Sequence, residues 1–357
     1  MPVQGLVRLR KHQFARQAAF GSKLAATKAY PFKGVPDVDL TWTDPESDAG
    51  SRDVVAPPYR GAPVLAASLT DPMLAYNSLP LLMCAFFGGA VTPAISGSAR
   101  TWTHEPASLT VDDPDVFTYE FGDDVLTDWY QLGDGLLTAV EISGPEGLGP
   151  LTTSMTWKFG SVASSGSSDN PDVPAVPTGA LDVDTEAAIV YLKDLAIYIA
   201  DSTAGLAAGQ VSDALHSFTL RFGQEVDEKR WANGDQSFDV DTYGPGARTI
   251  ELECTFAKTA DTVGIGSESD KWMSDEAVNR YVELKAISTK MADGATPYSW
   301  DVVMPMRYYT RTEGEVGQNT VAVLTGRAFY DPDDLDGVFT SDIVCTLTED
   351  ELGSVGS

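Results

Sequence analysis

The chain has 357 residues, 43% of them hydrophobic, and sets 24 basic side chains against 52 acidic ones for a net charge of −28. That length and apolar share allow one large or two ordinary domains with a proper core, and they exclude wholesale disorder. So acidic a body excludes phosphate-directed nucleic-acid binding, because that affinity comes from clustered Lys and Arg.

Residues 1–36 read as a basic N-terminal arm: Arg8, Arg10, Lys11, Arg16, Lys23, Lys28 and Lys33, with no acid among them. No apolar run follows these charges before Tyr30, so a secretory signal is not expected. The composition mimics a transit peptide but lacks its serine richness. A basic arm beside an acidic body is expected to contact a neighbouring copy through Arg8, Arg10, Lys11 and Arg16. The plain alternative is a disordered terminus.

Residues 37–160 read as the first part of an antiparallel β-sandwich or barrel. A short apolar helix is expected at 79–87, with Ser78 as cap, Pro80 in its first turn and Gly88 ending it. The longest apolar run, Leu81 to Val91, is interrupted by two glycines and is about half of a membrane span, so no transmembrane helix is expected. Strand alternation then appears at Phe117–Tyr119–Phe121, over Leu137 to Ser143, and at Met155–Trp157–Phe159. Gly133-Asp134-Gly135 and Gly144-Pro145 read as the turns between strands.

Residues 161–214 read as a linker and insertion, opened by the Ser-, Gly- and Pro-rich stretch Gly160 to Gly179. Residues 215–350 read as the second part of the sandwich. Phe218–Leu220–Phe222 and Ile250–Leu252–Cys254–Phe256 alternate, with Gly244-Pro245-Gly246 as a turn, and strands are also expected over Val302–Thr310, Thr320–Phe329 and Ile343–Leu347. Asp261 to Asp270 is a second flexible candidate. A helix is expected over 275–291, since Ala277, Tyr281, Leu284, Ile287 and Met291 recur at three and four residues after Ser274. Residues 351–357 form a tail. The hairpins Leu137 to Phe159 and Leu215 to Phe256 leave an internal duplication open.

Chemistry-bearing motifs are missing. There is no G-x-S-x-G, H-E-x-x-H or P-loop, and His12, His104 and His216 stand alone. Asp239 to Gly244 and Asp331 to Gly337 are acidic turns without the calcium-loop spacing. Cys84, Cys254 and Cys345 lie far apart and read as small buried hydrophobes, with a single bridge left open. No catalytic set, cofactor or metal is expected.

The order of features resembles the tail tube proteins (major tail proteins) of long-tailed, siphovirus-type phages and related viruses. The likeness rests on Leu74 to Gly89 with its Ser-Leu-Pro entry, Thr101-Trp102-Thr103-His104-Glu105-Pro106, Phe117 to Asp123, the strand ending Ile142-Ser143-Gly144, and Pro150 to Phe159. It spans about residues 60 to 160 and resumes loosely in the later strands. The extra length, the loops and the helix expected after Ser274 depart from the simplest members.

The resemblance implies a mainly β fold, an antiparallel sandwich or barrel with a flanking helix and long loops. It implies a virion protein that forms rings, usually hexameric, or trimeric if the chain is duplicated. The rings stack into the hollow tube through which viral DNA passes without specific binding, and other tail proteins (tape measure, tail terminator, baseplate) are its partners, with no membrane. On that reading the polar faces of the hairpin strands, with Glu141, Thr156, Glu251 and Glu253, line the channel. The bland account of the same residues is an ordinary solvated face.

Two other functions are weighed. A sandwich-type glycan-binding or adhesion module would use exposed rings among Trp42, Trp129, Trp231 and Trp272. An enzyme would need a deep pocket holding two carboxyls with raised pKa values.

Overall fold

A computed structural model describes residues 10–26, 28–39, 42–43, 59–60, 64–88, 92–105, 115–123, 128–164, 188–211, 214–231, 240–258, 280–317, 319–331 and 338–352. In chain order the first strands are β1 (Arg10–Arg16), β2 (Lys28–Tyr30), β3 (Lys33–Asp39), β4 (Trp42–Thr43), β5 (Tyr59–Arg60) and β6 (Val64–Asp71). Helix α1 (Leu79–Phe87) precedes β7 (Ala94–Ser96), β8 (Ala99–His104), β9 (Phe117–Asp123), β10 (Asp128–Gly144), β11 (Thr152–Lys158) and β12 (Ser161–Ser164). Then come β13 (Leu195–Ala200), β14 (Leu215–Lys229), β15 (Thr242–Ala257), β16 (Arg280–Asp293), β17 (Thr296–Val316), β18 (Asn319–Ala328), β19 (Thr340–Cys345) and a one-turn α2 (Glu349–Leu352).

The fold is mainly β with a short flanking helix, and every strand pairing is antiparallel. The large sheet runs β3-β6-β11-β10-β14-β15-β18-β17. A second sheet runs β7-β8-β19-β17-β16-β13, and a small one β2-β1-β9-β10-β12. The three sheets join into one antiparallel network. They do so by sharing two long strands between sheets, β10 and β17, so the hydrogen-bonded order itself stays open.

Glycine makes the first of these shared strands possible. The expected turn Gly133-Asp134-Gly135 is instead a bulge inside β10, where the register against β9 shifts between Leu132 and Gly135. Asp134 sits at φ 55°, held by Gly21 N–H to Oδ1 (2.6 Å), by Ser161 Oγ–H to Oδ2 (3.0 Å), and through its own N–H to Gln17 Oε1. A side chain at Gly135 would meet Phe159 at 2.5 Å. Gly244-Pro245-Gly246 likewise lies within β15, beside a register shift at Gln224 to Val226 in β14. Local turn chemistry bent these strands without ending them.

Helix α1 has the bounds its sequence predicts, and all nine of its residues are buried. Ser78 does not cap it through its side chain, because a 3-10 turn over Tyr76–Ser78 runs into the helix and leaves Ser78 helical. Gly88 ends it at φ 73°, its N–H bonding Cys84 O at 2.9 Å. Phe86 and Phe87 pack on Phe222, and Phe87 stacks on Phe339. Trp102, Trp157 and Trp300 are fully buried in the same core. Each such ring buried contributes about 1.5–3 kcal/mol or more.

Four expectations need correction. The helix expected over 275–291 is, from Arg280 on, strand β16. Its Val282, Leu284, Ala286 and Ser288 alternate inward while Ile287 and Met291 are exposed, so the period is two; Ser274 and Ala277 lie outside the described residues. The Asp293-Gly294 step that begins the β16–β17 hairpin is the signal that favoured a strand. Residues 10–16 of the basic arm are not a separate arm: β1 lies between β2 and β9. The stretch 161–214 is not only linker, since it supplies β12 and β13 to the sheets. The tail begins within α2, where Leu352 is buried and Glu351 accepts a hydrogen bond from Lys28 Nζ at 3.0 Å.

Candidate functional site

Alternation places every second residue of the large sheet on its outer face, and cross-strand register then builds rows. One row is Ser154 (β11), Glu141 (β10), Arg221 (β14), Glu251 (β15), Arg327 (β18) and Arg307 (β17). Arg221 Nε donates to Glu141 Oε2 at 3.0 Å, and its Nη1 lies 3.7 Å from Glu253 Oε2. The neighbouring row holds Thr152, Ser143, Thr219, Glu253, Thr325 and Thr310; Thr156 stands exposed on the other side, opposite Ser68 and Ala139.

Glu141, Thr156, Glu251 and Glu253 therefore share one face. The sequence reading missed the arginines between them, because Arg221 and Arg327 become neighbours of these acids only through β14 and β18 pairing. The face is a hydroxyl-rich plane with alternating charge, not a purely acidic one. Its ion pairs are about 40% exposed and worth at most about 1 kcal/mol each.

The two ends of this sheet are edges. Among the described residues β3 pairs only with β6, and the Tyr308–Val316 half of β17 pairs only with β18. Eight strands in antiparallel order make these two edges run in opposite directions. Val35 on β3 is 55% exposed. Such edges attract further strands unless they are covered.

The basic residues named for inter-subunit contact are placed differently. Arg16 is buried and its Nη1 lies 3.5 Å from Asp115 Oδ2 of the same chain. Burial raises the Asp115 carboxyl to about 6 although Arg16 pulls it down. Lys11 is buried in β1, Arg10 begins that strand, and Arg8 lies outside the described residues. Arg16 is thus committed inside its own fold.

Behind β1, the small sheet aligns Gln13, Glu120 and Gln131 across three strands. Gln131 Nε2 donates to Glu120 Oε1 at 3.2 Å, while neither amide atom of Gln13 has a hydrogen-bond partner among the described residues. Burial lifts Glu120 to about 7, against hydrogen bonds from Ala26 N–H and Gln131 that lower it. On the other side of β1, His12 Nδ1 and Tyr119 Oη lie 2.8 Å apart. His104 is buried and lowered to about 4 by desolvation, and His216 stands 3.9 Å from Glu146. Among the described residues these three histidines converge on no common nucleophile.

A charged cleft lies on the outer face of the second sheet, a site no sequence motif announced. It has about 500 Å³ and is lined by Tyr198 of β13, Glu283 and Lys285 of β16, Thr340 of β19 and the turn Thr203–Ala208. Lys285 Nζ donates to Glu283 Oε1 at 3.0 Å and to Asp301 Oδ2 at 2.5 Å. Burial, with Glu283 nearby, raises Asp301 to about 6 against the pull of Lys285. The signal was the alternation Glu283, Lys285 on one strand and Asp301 on the next, hidden by the helical reading.

Among the described residues no group of three or more metal-ligating side chains comes together. Asp331 is buried and accepts a hydrogen bond from the Tyr281 hydroxyl; Asp239 and residues 332–337 lie outside the described residues. Cys84, Cys254 and Cys345 are free and buried. Of the candidate stacking rings, Trp231 is 63% exposed, and Trp272 lies outside the described residues. No helix of the described residues is long and apolar enough to cross a membrane.

The chain matches no protein-family model and no curated protein.

Proposed function

We propose that this chain is a structural subunit that assembles with its own copies into stacked rings, the hollow tail tube of a long-tailed virus through which the genome is delivered. The observation that supports it is the pair of opposed edges, β3 and the second half of β17, at the two ends of one eight-stranded sheet. Copies related by rotation would bring the β3 of one beside the β17 of the next, antiparallel. Such a head-to-tail contact closes into a ring when the rotation allows, and rings stacked by a second contact make a tube. Ring number, hexamer or trimer, follows from that rotation angle. Tape measure, terminator and baseplate proteins would be its partners in the virion.

On this reading the outer face of the large sheet is the channel wall, with Glu141, Thr156, Glu251 and Glu253 exposed to passing DNA. Arg221 pairs with Glu141 and Glu253, and Arg327 stands opposite Glu251, so acids and hydroxyls make up most of the polar groups this wall offers DNA.

Negative-stain microscopy of the purified chain, alone and with tail assembly proteins, tests the assembly. Rings or tubes are expected, and Val35→Lys on the β3 edge should leave folded monomers. Persistent wild-type monomers under all of these conditions would reject the reading. The wall assignment fails separately if Glu141→Lys, Glu251→Lys and Glu253→Lys together leave tube potential and genome ejection unchanged.

The alternative of a glycan-binding module draws on a specific feature, the cleft on the second sheet.

A further inference from the structure

We infer that the cleft beside β13 and β16 binds a neutral, polyhydroxylated ligand, a short saccharide. Its floor is one row of the second sheet, Tyr198, Glu283, Val303 and Thr340, with Lys285 of the next row beside it. The turn Thr203–Ala208 arches over one side and brings Leu206 and Thr203 to the wall. The opening of about 500 Å³ is large enough for a di- or trisaccharide.

Charge decides the ligand class. A cationic ligand would meet the Lys285 ammonium, and an anionic one would meet the Glu283 carboxylate beside it. An apolar ligand would strip water from both and return no hydrogen bond, which is costly. A neutral ligand bearing hydroxyls escapes each penalty, since a hydroxyl donates to carboxylate and accepts from ammonium.

The remaining wall matches the rest of such a molecule. The Tyr198 ring, Leu206 and Val303 present apolar surface to the C–H faces of a pyranose, and the Thr203 and Thr340 hydroxyls flank it. The Glu283–Lys285–Asp301 clamp fixes its own polar atoms before a ligand arrives: Lys285 is held at 3.0 and 2.5 Å by its two acids. Asp301 Oδ1 is buried and has no hydrogen-bond partner among the described residues. Pre-organisation of this kind lowers the entropic cost of binding.

The site lies on the second sheet, away from the Glu141–Arg221–Glu251 row, and does not depend on the assembly reading. A tube subunit with this cleft outward would be decorated by glycan; a monomer with it would be a binding module.

A glycan array probed with the full chain tests the inference, followed by titration calorimetry with the strongest neutral oligosaccharide. Saturable binding is expected, with neutral glycans preferred over sialylated or sulfated ones. Tyr198→Ala and Lys285→Met should each weaken it by roughly tenfold or more, while Ser154→Ala on the large sheet leaves it unchanged. Circular dichroism and the thermal midpoint show whether each variant is folded, and Tyr198→Ala, on a half-buried edge-strand position, carries the test if Lys285→Met does not fold. Binding of no glycan, a preference for sulfated glycans, or full affinity in folded Tyr198→Ala overturns the inference. Microscopy of the same samples reads ring formation independently, so the two proposals fail separately.

Discussion

Replacing Glu120 by Gln should make the protein more stable above neutral pH and change it little in acid. Glu120 is 3% exposed in the small sheet, beside Gln13 and Gln131, and no cation faces it among the groups that set its titration. Burial raises it from 4.5 to about 7. Each pH unit between folded and unfolded values is worth about 1.4 kcal/mol, so ionising Glu120 costs the folded state roughly 3 kcal/mol.

The sign follows from proton binding. Between about pH 4.5 and 7 the folded state binds more protons than the unfolded one, so stability falls as pH rises. The contribution of the protonated carboxyl is fully present below 4.5 and lost as pH passes about 7. Glutamine keeps the shape and the hydrogen bond to Gln131 without the charge. Urea denaturation of both proteins at half-unit steps from pH 4 to 8.5 measures the difference, and general charge repulsion cancels between them. The gap should grow from near zero at pH 4.5 to roughly 3 kcal/mol at pH 8. A gap that stays flat across this range would refute the reasoning, because it would mean that Glu120 titrates alike in the folded and unfolded chain.

Other outcomes follow from the same physics. His104, buried and lowered to about 4, is neutral in the fold, so between about pH 6.5 and 4 the unfolded chain binds the extra proton and stability falls with acid. His104→Gln should remove up to about 3 kcal/mol of that acid sensitivity, read from the pH dependence of the urea midpoint. Gly135→Ala should cost about 1–3 kcal/mol in denaturant unfolding, because a methyl there meets the Phe159 ring at 2.5 Å and the Phe117 carbonyl at 2.8 Å.

Several features were legible in the sequence because they are local. The helix 79–87 was set by Pro80, Gly88 and an unbroken apolar run, and Phe218–Leu220–Phe222 and Ile250–Leu252–Cys254–Phe256 declared their buried faces by alternation alone. Composition alone showed a chain with enough apolar side chains for a core and a large excess of acids. What local reading could not separate were signals that serve two purposes. Gly133-Asp134-Gly135 reads as a turn, and packing against Gln17, Gly21 and Ser161 made it a bulge within a continuing strand. The residues Tyr281 to Met291 fit a three-four spacing and a two spacing at once, and the pairing of β16 with β13 and β17 decided for the strand.

The sites belong to the tertiary structure. Glu141 and Arg221 are 80 residues apart, and Lys285 and Asp301 lie on different strands, yet register sets each pair within hydrogen-bond reach. Arg16, read from the sequence as part of a basic arm, became the buried partner of Asp115, 99 residues away. The sequence by itself determined which residues must leave water, because burial preference is a property of each side chain and its period. Only the tertiary structure decided which charges meet, because that depends on which strands pair and in what register, and pairing is chosen by the whole core at once.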